Sequence, residues 1–162
     1  MNAKKLSYTG MFAALIFVVT VFLKVPVASG YVHIGDSLIY LATLIIGPWA
    51  MLAGALGEAL ADIAGSYLMY APATVIIKVL TVVPFLFIKK EDKLLSVKSA
   101  LMTLPAGLIT VGGYFLADLI IDKSYAVVDL PGNVIQALAS AVIFIVLAFA
   151  FDKSKIKNKI DF

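Results

Sequence analysis

The stretch at residues 53–78 reads AGALGEALADIAGSYLMYAPATVIIK and is apolar apart from three charged side chains. Small side chains recur every four residues along its first half. They are Ala53, Gly57, Ala61 and Gly65. This spacing lets membrane helices approach each other closely. The stretch therefore predicts a central helix of a membrane bundle, followed by a turn and a second helix.

The three charged residues of this stretch are costly to place inside a bilayer and usually face a partner or a cavity. Glu58 and Asp62 are four residues apart and share one helix face. Lys78 lies about 9 Å along the next helix, at the depth of Asp62 in an antiparallel pair. Two interpretations follow: a buried salt bridge of Lys78 with Asp62 or Glu58 that fixes helix registry, or a polar ligand cavity.

The composition of the whole chain supports a membrane protein. Of 162 residues, 62% are hydrophobic and 14% charged, and the mean hydropathy is +1.05. Soluble domains are about half apolar and about a quarter charged. About six membrane helices fit in this length, so we expect one domain, residues 1–162. The absence of cysteine and the single histidine argue against disulfides, metal clusters and cofactors, and a nucleic-acid role is not expected.

Apolar runs predict an all-α fold with six transmembrane helices. They lie at residues 6–23, 36–46, 49–67, 72–88, 100–121 and 131–151. The first run also fits a cleaved signal peptide, but its length favours a retained helix. Pro131 is expected in the first turn of the sixth helix, with residues 29–35, 66–71 and 122–130 as loops on one side.

Lysines are distributed unequally between the two sides of this six-helix arrangement. Ten lie at the chain ends or in the even-numbered connections: Lys4, Lys5, Lys89, Lys90, Lys93, Lys98, Lys153, Lys155, Lys157 and Lys159. Lys24 and Lys123 lie near the other side. The positive-inside rule therefore predicts that both termini are cytoplasmic.

Further polar residues are predicted at the depth of Asp62. Tyr114 and Asp118 share one face of the fifth helix, while Asn133 and Gln136 share one face of the sixth. Each also has a structural interpretation: an interfacial carboxylate for Asp118, a helix-entry group after Pro131 for Asn133, and a generic membrane-interface role for the tyrosines. Together they are typical of a small-molecule pocket with aromatic walls.

Four blocks carry a resemblance to a known family: VHIGDSLIYLA at 32–42, GPW at 47–49, GALGEALAD at 54–62 and YAPATVIIK at 70–78. They resemble the substrate-binding S components of energy-coupling factor (ECF) transporters. The similar branch includes the riboflavin, hydroxymethylpyrimidine and pyridoxine types. The resemblance extends over residues 1–90, while the last two helices match mainly in length and topology.

The resemblance implies a vitamin bound near the outer face under a lid between the first two helices. It also implies a transmembrane coupling subunit and two ATPase subunits as partners, and toppling of the S component in the membrane to release ligand inside. Docking on the coupling subunit would use small residues of the first helix, here Gly10, Ala13 and Ala14. A small residue often stands at the position of Glu58 in this branch.

The sequence thus predicts a non-catalytic binding subunit in the bacterial plasma membrane for a hydroxymethylpyrimidine-like or pyridoxine-like vitamin or precursor. A riboflavin-specific S component is one alternative. An ion-coupled carrier or channel that uses the buried charges is another, whereas an intramembrane enzyme lacks a recognisable nucleophile and base. The candidate substrate-binding residues are Tyr31, His33, Asp36, Glu58, Asp62, Tyr70, Lys78, Tyr114, Asn133 and Gln136.

Overall fold

The computed structural model describes residues 3–27, 31–88 and 93–154. Within these ranges the chain has six α-helices and one two-stranded hairpin. The helices are α1 (Ala3–Phe22), α2 (Gly35–Ile46), α3 (Ala50–Ala64), α4 (Ala71–Leu86), α5 (Val97–Ile121) and α6 (Lys123–Ser154). The predicted all-helical architecture is confirmed. Lys89, Lys90, Lys155, Lys157 and Lys159 lie outside the described residues.

Four helical stretches are long and apolar enough to cross a membrane. They are Ala3–Phe22, Gly35–Ala64, Val97–Ile121 and Lys123–Ser154, while the apolar helix Ala71–Leu86 is shorter. The chain is therefore a multi-pass membrane protein by length and composition.

The 30-residue stretch Gly35–Ala64 is a helical hairpin and not one continuous helix. A 3₁₀ turn at Gly47–Trp49 separates α2 from α3, and Gly47 has a φ of 61°, which glycine adopts without strain. A Cβ atom placed on Gly54 would lie 3.0 Å from Cδ1 of Ile39. The two helices therefore fold back on each other, as the Gly47-Pro48 turn signal predicts.

The small residues of α3 bring it into close contact with α1. A Cβ atom on Gly57 would lie 2.7 Å from the backbone oxygen of Ala13 and 2.8 Å from Cγ2 of Ile16. Gly113 allows an equally close contact between α5 and α4, because a Cβ atom there would lie 2.6 Å from Cγ1 of Ile77. The close packing of Gly57 against α1 confirms the prediction that α3 lies inside the bundle.

The connection from α1 to α2 contains a short hairpin that the sequence did not predict. Strand β1 (Val25–Pro26) pairs antiparallel with β2 (Tyr31–Val32), with Val25 opposite Val32. The hairpin holds Tyr31 and the following His33 at the end of the helix bundle.

The predicted start of the last helix at Pro131 is wrong. Helix α6 begins at Lys123, so Pro131 lies inside it. The carboxylate of Asp122 accepts hydrogen bonds from the backbone N–H and the hydroxyl of Ser124, at 2.9 and 2.7 Å. Because such a side chain satisfies the free N–H groups of a first turn, the helix starts there and the predicted loop at 122–130 is mostly helical.

At the opposite end of the bundle, α6 is hydrogen-bonded to the connection between α4 and α5. The carboxylate of Asp152 accepts hydrogen bonds from the backbone N–H groups of Leu94 and Leu95, at 2.7 and 2.9 Å. Ser96 and Ser99 form a capping box that starts α5 at Val97, three residues before the predicted start. These contacts fix the α4–α5 connection against the last turns of α6.

Candidate functional site

A cavity lies at the end of the bundle where α1, α3 and α5 end and α2, α4 and α6 begin. The empty space between its walls and at its mouth is about 560 Å³, which is in the size range of small-molecule sites. We call it the tyrosine cavity. It is lined by Val27, Tyr31, His33, Asp62, Tyr67, Tyr70, Tyr114, Asp118, Asp129, Gly132, Asn133 and Gln136.

Aromatic rings form much of the wall of the tyrosine cavity. The ring centroids of Tyr31 and Tyr67 are 5.0 Å apart and those of Tyr67 and Tyr70 are 6.4 Å apart. Burial raises the pKa of the Tyr31 and Tyr70 hydroxyls, and the carboxylates beside them raise it further. Both hydroxyls are therefore protonated at neutral pH and act as hydrogen-bond donors.

Two carboxylates in the wall accept hydrogen bonds from those hydroxyls. Tyr31 donates to Oδ1 of Asp62 at 2.9 Å, and Tyr70 donates to Oδ1 of Asp118 at 2.8 Å. Oδ2 of Asp62 accepts from the hydroxyl of Thr74 at 2.5 Å. Oδ2 of Asp118 is buried and has no hydrogen-bond partner among the described residues.

Beneath the tyrosine cavity lies a fully buried ion pair. Nζ of Lys78 is 2.5 Å from Oδ1 of Asp36, and both side chains are 0% exposed. The predicted pairing of Lys78 with Asp62 or Glu58 is wrong. Asp36 stands in the first turn of α2, whose side chains face α4 at this depth, while the oxygens of Asp62 are taken by hydroxyl groups.

A second buried pair joins the loop before α2 to α3. Nε2 of His33 is 3.2 Å from Oε2 of Glu58, and Nδ1 of His33 accepts the backbone N–H of Gly35 at 3.1 Å. Because Nδ1 is an acceptor, the imidazole is neutral and donates its Nε2 proton to Glu58. Burial, together with the charge of Lys78, lowers the pKa of His33 to about 3.

The neutral state of His33 predicts that acid destabilises the protein. The folded pKa is about 3 and the ordinary value is about 6.5, so the unfolded state binds more protons between these values. Stability should be fully present above pH 6.5 and fall as the pH drops toward 3. We expect this contribution of His33 to lower the midpoint of thermal unfolding in detergent between pH 7 and pH 5, relative to a variant that does not titrate at this position.

The variant His33→Gln isolates this effect, because its amide can still donate toward Glu58 and accept from Gly35 but does not titrate. Asp36, Lys78 and Lys24 also act on the His33 charge and remain in place in the variant. The pH profile of His33→Gln should be flatter over the same range. Equal slopes for the two proteins would contradict the assignment.

Most of the predicted substrate-binding residues meet at the tyrosine cavity. Those that line it are Tyr31, His33, Asp62, Tyr70, Tyr114, Asn133 and Gln136. Asp36, Glu58 and Lys78 lie beneath it and hold its base together. Asn133 is not a helix-entry group, because α6 begins ten residues earlier, at Lys123.

Sequence reasoning missed several lining residues, chiefly Val27, Asp129 and Gly132, and Tyr67 was not among the candidate substrate-binding residues. Asp129 and Gly132 share a helix face with Gln136, at spacings of three and four residues. The sequence analysis did not apply this helical spacing, because it placed residues 122–130 in a loop. Tyr67 lies in the α3–α4 connection, where an aromatic residue is also typical of a membrane interface.

The three predicted docking residues of α1 do not share one surface. Gly10 and Ala14 are exposed and four residues apart, so they lie on one outward face of the helix. Ala13 is half-buried, and its backbone oxygen lies against Gly57 of α3. The exposed small-residue face is therefore centred on Gly10 and Ala14.

Comparison with known proteins identifies similar chains. Residues 1–153 match the family model of the ECF-type riboflavin transporter S component. The fold is similar to a solved S component of a bacterial ECF transporter, with a TM-score of 0.74 and 18% identity over 94% of this chain and 98% of the other. No curated protein sequence matches this chain.

Proposed function

Because the chain belongs to the ECF-type riboflavin transporter S component family, we propose that it binds a small heteroaromatic vitamin or vitamin precursor in the tyrosine cavity. We favour a pyrimidine or pyridine ring of the hydroxymethylpyrimidine or pyridoxine kind, with riboflavin as the alternative. The observation that carries this proposal is the cavity itself, where tyrosine rings surround a few fixed polar groups. Such walls suit a flat ring with polar substituents.

The amides of α6 would give the ligand its orientation. Oε1 of Gln136 accepts the backbone N–H of His33 at 3.2 Å, and its amide nitrogen donates to the carboxylate of Asp36, so one amide N–H of Gln136 remains to donate to a ring heteroatom or hydroxyl. Asn133 is half-buried in the same wall. Riboflavin is the alternative because of the family match, although its three fused rings and sugar chain would occupy more of the space.

We further propose six membrane crossings with both termini in the cytoplasm of the bacterial cell. Five described lysines lie at the end of the bundle opposite the tyrosine cavity: Lys4, Lys5, Lys93, Lys98 and Lys153. Lys24 and Lys123 lie at the cavity end. By the positive-inside rule this distribution supports a cavity that opens to the outside of the plasma membrane.

Transport would then require partner subunits, as expected for an S component. We propose a transmembrane coupling subunit and two ATPases, with the coupling subunit contacting the exposed face of α1 around Gly10 and Ala14. A Cβ atom on Gly10 would have no neighbour within 4 Å among the described residues. This face is therefore open for the close approach of another helix.

A binding titration tests the proposed site. Tyr31→Ala removes a ring that packs 5.0 Å from Tyr67 and a hydroxyl bonded to Asp62, so we expect at least about tenfold weaker binding. The measurement is calorimetric titration of the purified protein with pyridoxine, hydroxymethylpyrimidine and riboflavin. The control is Tyr125→Ala, a 40% exposed tyrosine of α6 that does not line the cavity.

The control variant should bind like the wild type. The proposal fails if no compound of the panel binds the wild-type protein, or if both tyrosine variants lose affinity equally.

A further inference from the structure

We infer that the tyrosine cavity selects a heteroaromatic ring that carries a positive charge, such as a pyridinium or a protonated aminopyrimidine, and that Asp118 pairs with that charge. This inference rests on the proposed function and narrows its ligand class. It comes from the charges of the cavity wall, from one unpartnered carboxylate oxygen and from the arrangement of the tyrosine rings.

The described side chains that line the cavity carry an excess of negative charge. Asp62, Asp118 and Asp129 all line it, and none of the described lysines is among the lining residues; Lys24 lies at its edge, with Nζ 4.8 Å from the ring centroid of Tyr31. The imidazole of His33 is neutral, because its Nδ1 accepts the backbone N–H of Gly35. The ammonium of Lys78 lies beneath the cavity, where Asp36 neutralises it. The acidic residues of the lining therefore outnumber the one lysine at its edge.

One carboxylate oxygen of Asp118 has no hydrogen-bond partner among the described residues. The residue is 1% exposed, its Oδ1 accepts from Tyr70, and its buried Oδ2 has no partner in the described parts of the chain. An unpaired buried carboxylate oxygen is costly, so a donor or cation on the ligand would offset that cost. Asp62 differs, because both of its oxygens already accept hydroxyl groups.

The tyrosine rings suit a cationic ring as well as a neutral one. Tyr70 reaches Asp118 through its hydroxyl, and Tyr114 stands one helical turn before Asp118 on α5. The ammonium of Lys78 already lies over the Tyr114 ring, 5.1 Å from its centroid. A flat cation beside Asp118 would therefore meet chiefly the ring of Tyr70, and aromatic faces attract positive charge. A carboxylate and aromatic rings together favour a cation over a neutral ring of equal size.

The same charges disfavour an anionic ligand. A phosphate ester would bring about two negative charges next to the carboxylate of Asp118, in a lining that includes no described lysine. The cavity therefore selects the free vitamin over its phosphorylated form.

The test compares three matched probes on the full-length protein in lipid nanodiscs. The first is an N-methylpyridinium analogue of pyridoxine without the ring hydroxyl, which is cationic at every pH; the second is its neutral benzene isostere; the third is pyridoxine 5′-phosphate. For the wild type we expect the cation to bind at least about tenfold more tightly than the neutral isostere, and the phosphate to bind most weakly. This wild-type preference needs no variant to be measured.

Asp118→Asn is the diagnostic variant and should abolish the preference for the cation. Asp122→Asn is the matched control, because Asp122 is exposed, lies one turn further along and does not line the cavity. The control should keep the preference. Tighter binding of the neutral isostere or of riboflavin, or an unchanged preference in Asp118→Asn, would overturn the charge inference and leave the proposed function intact. Failure of all probes and of riboflavin to bind would remove the proposed function as well.

Discussion

Replacing Lys78 with methionine is expected to lower the free energy of unfolding by about 3–5 kcal/mol, the cost of leaving a buried charge without its partner. Lys78 and Asp36 are both fully buried and 2.5 Å apart. In the variant, Asp36 would keep hydrogen bonds from neutral groups alone, the hydroxyl of Thr110 at 3.4 Å and the amide of Gln136. The measurement is denaturant unfolding of the purified protein in detergent, followed by circular dichroism.

The double variant Lys78→Met/Asp36→Leu separates a buried pair from a simple packing effect. Removing both charges avoids the unpaired carboxylate, so the double variant should be clearly more stable than Lys78→Met. Lys123→Met, at the exposed start of α6, is the control and should unfold like the wild type. A double variant no more stable than the single one would contradict the pairing.

The same variants decide between the two interpretations of Lys78 that the sequence left open. The structure places the ammonium 5.1 Å from the ring centroid of Tyr114, which lines the cavity, but not in the cavity wall. If Lys78 only supports the base of the cavity, a folded double variant should still bind ligand. Direct contact between Lys78 and the ligand would instead abolish binding even where folding is restored.

The helices of this chain could be predicted from local patterns, because each apolar run ends at a turn signal. Gly47-Pro48 marks the break between α2 and α3, and the observed turn at Gly47–Trp49 lies at that break. The partner of Lys78 could not be predicted in this way. Helical spacing tells which residues share a face, but not which neighbouring helix that face meets, and Asp36 stood at the edge of a presumed loop.

The start of α6 could not be predicted because two local helix-start signals compete there. A proline is favoured in the first turn of a helix, and the sequence therefore predicted that the sixth helix begins at Pro131. The competing signal was the capping carboxylate of Asp122, which bonds to Ser124. A membrane helix tolerates an internal proline because neighbouring groups satisfy the freed carbonyl. The helix therefore begins after the capping carboxylate and not at the proline. The added turns place Asp129 and Gly132 in the cavity wall.

Gly57→Ala is expected to destabilise the protein by about 1–3 kcal/mol, the usual cost of overpacking a close contact. The new methyl group would lie 2.7 Å from the backbone oxygen of Ala13 and 2.9 Å from Cβ of Ile16. Neither atom is at the end of a flexible side chain, so α1 and α3 would have to move apart. Denaturant unfolding in detergent measures the loss.

The control for Gly57→Ala is the same substitution at Gly112 of α5, where a Cβ atom would have no described neighbour within 4 Å. Alanine favours a helix over glycine by up to about 1 kcal/mol, so Gly112→Ala should be neutral or slightly stabilising. Equal destabilisation of both variants would show that backbone contact at Gly57 is not the cause. Because Glu58 follows Gly57 and holds His33 at 3.2 Å, separating α1 from α3 should also displace His33 from the cavity wall. Ligand affinity should therefore fall together with stability in Gly57→Ala and remain unchanged in Gly112→Ala.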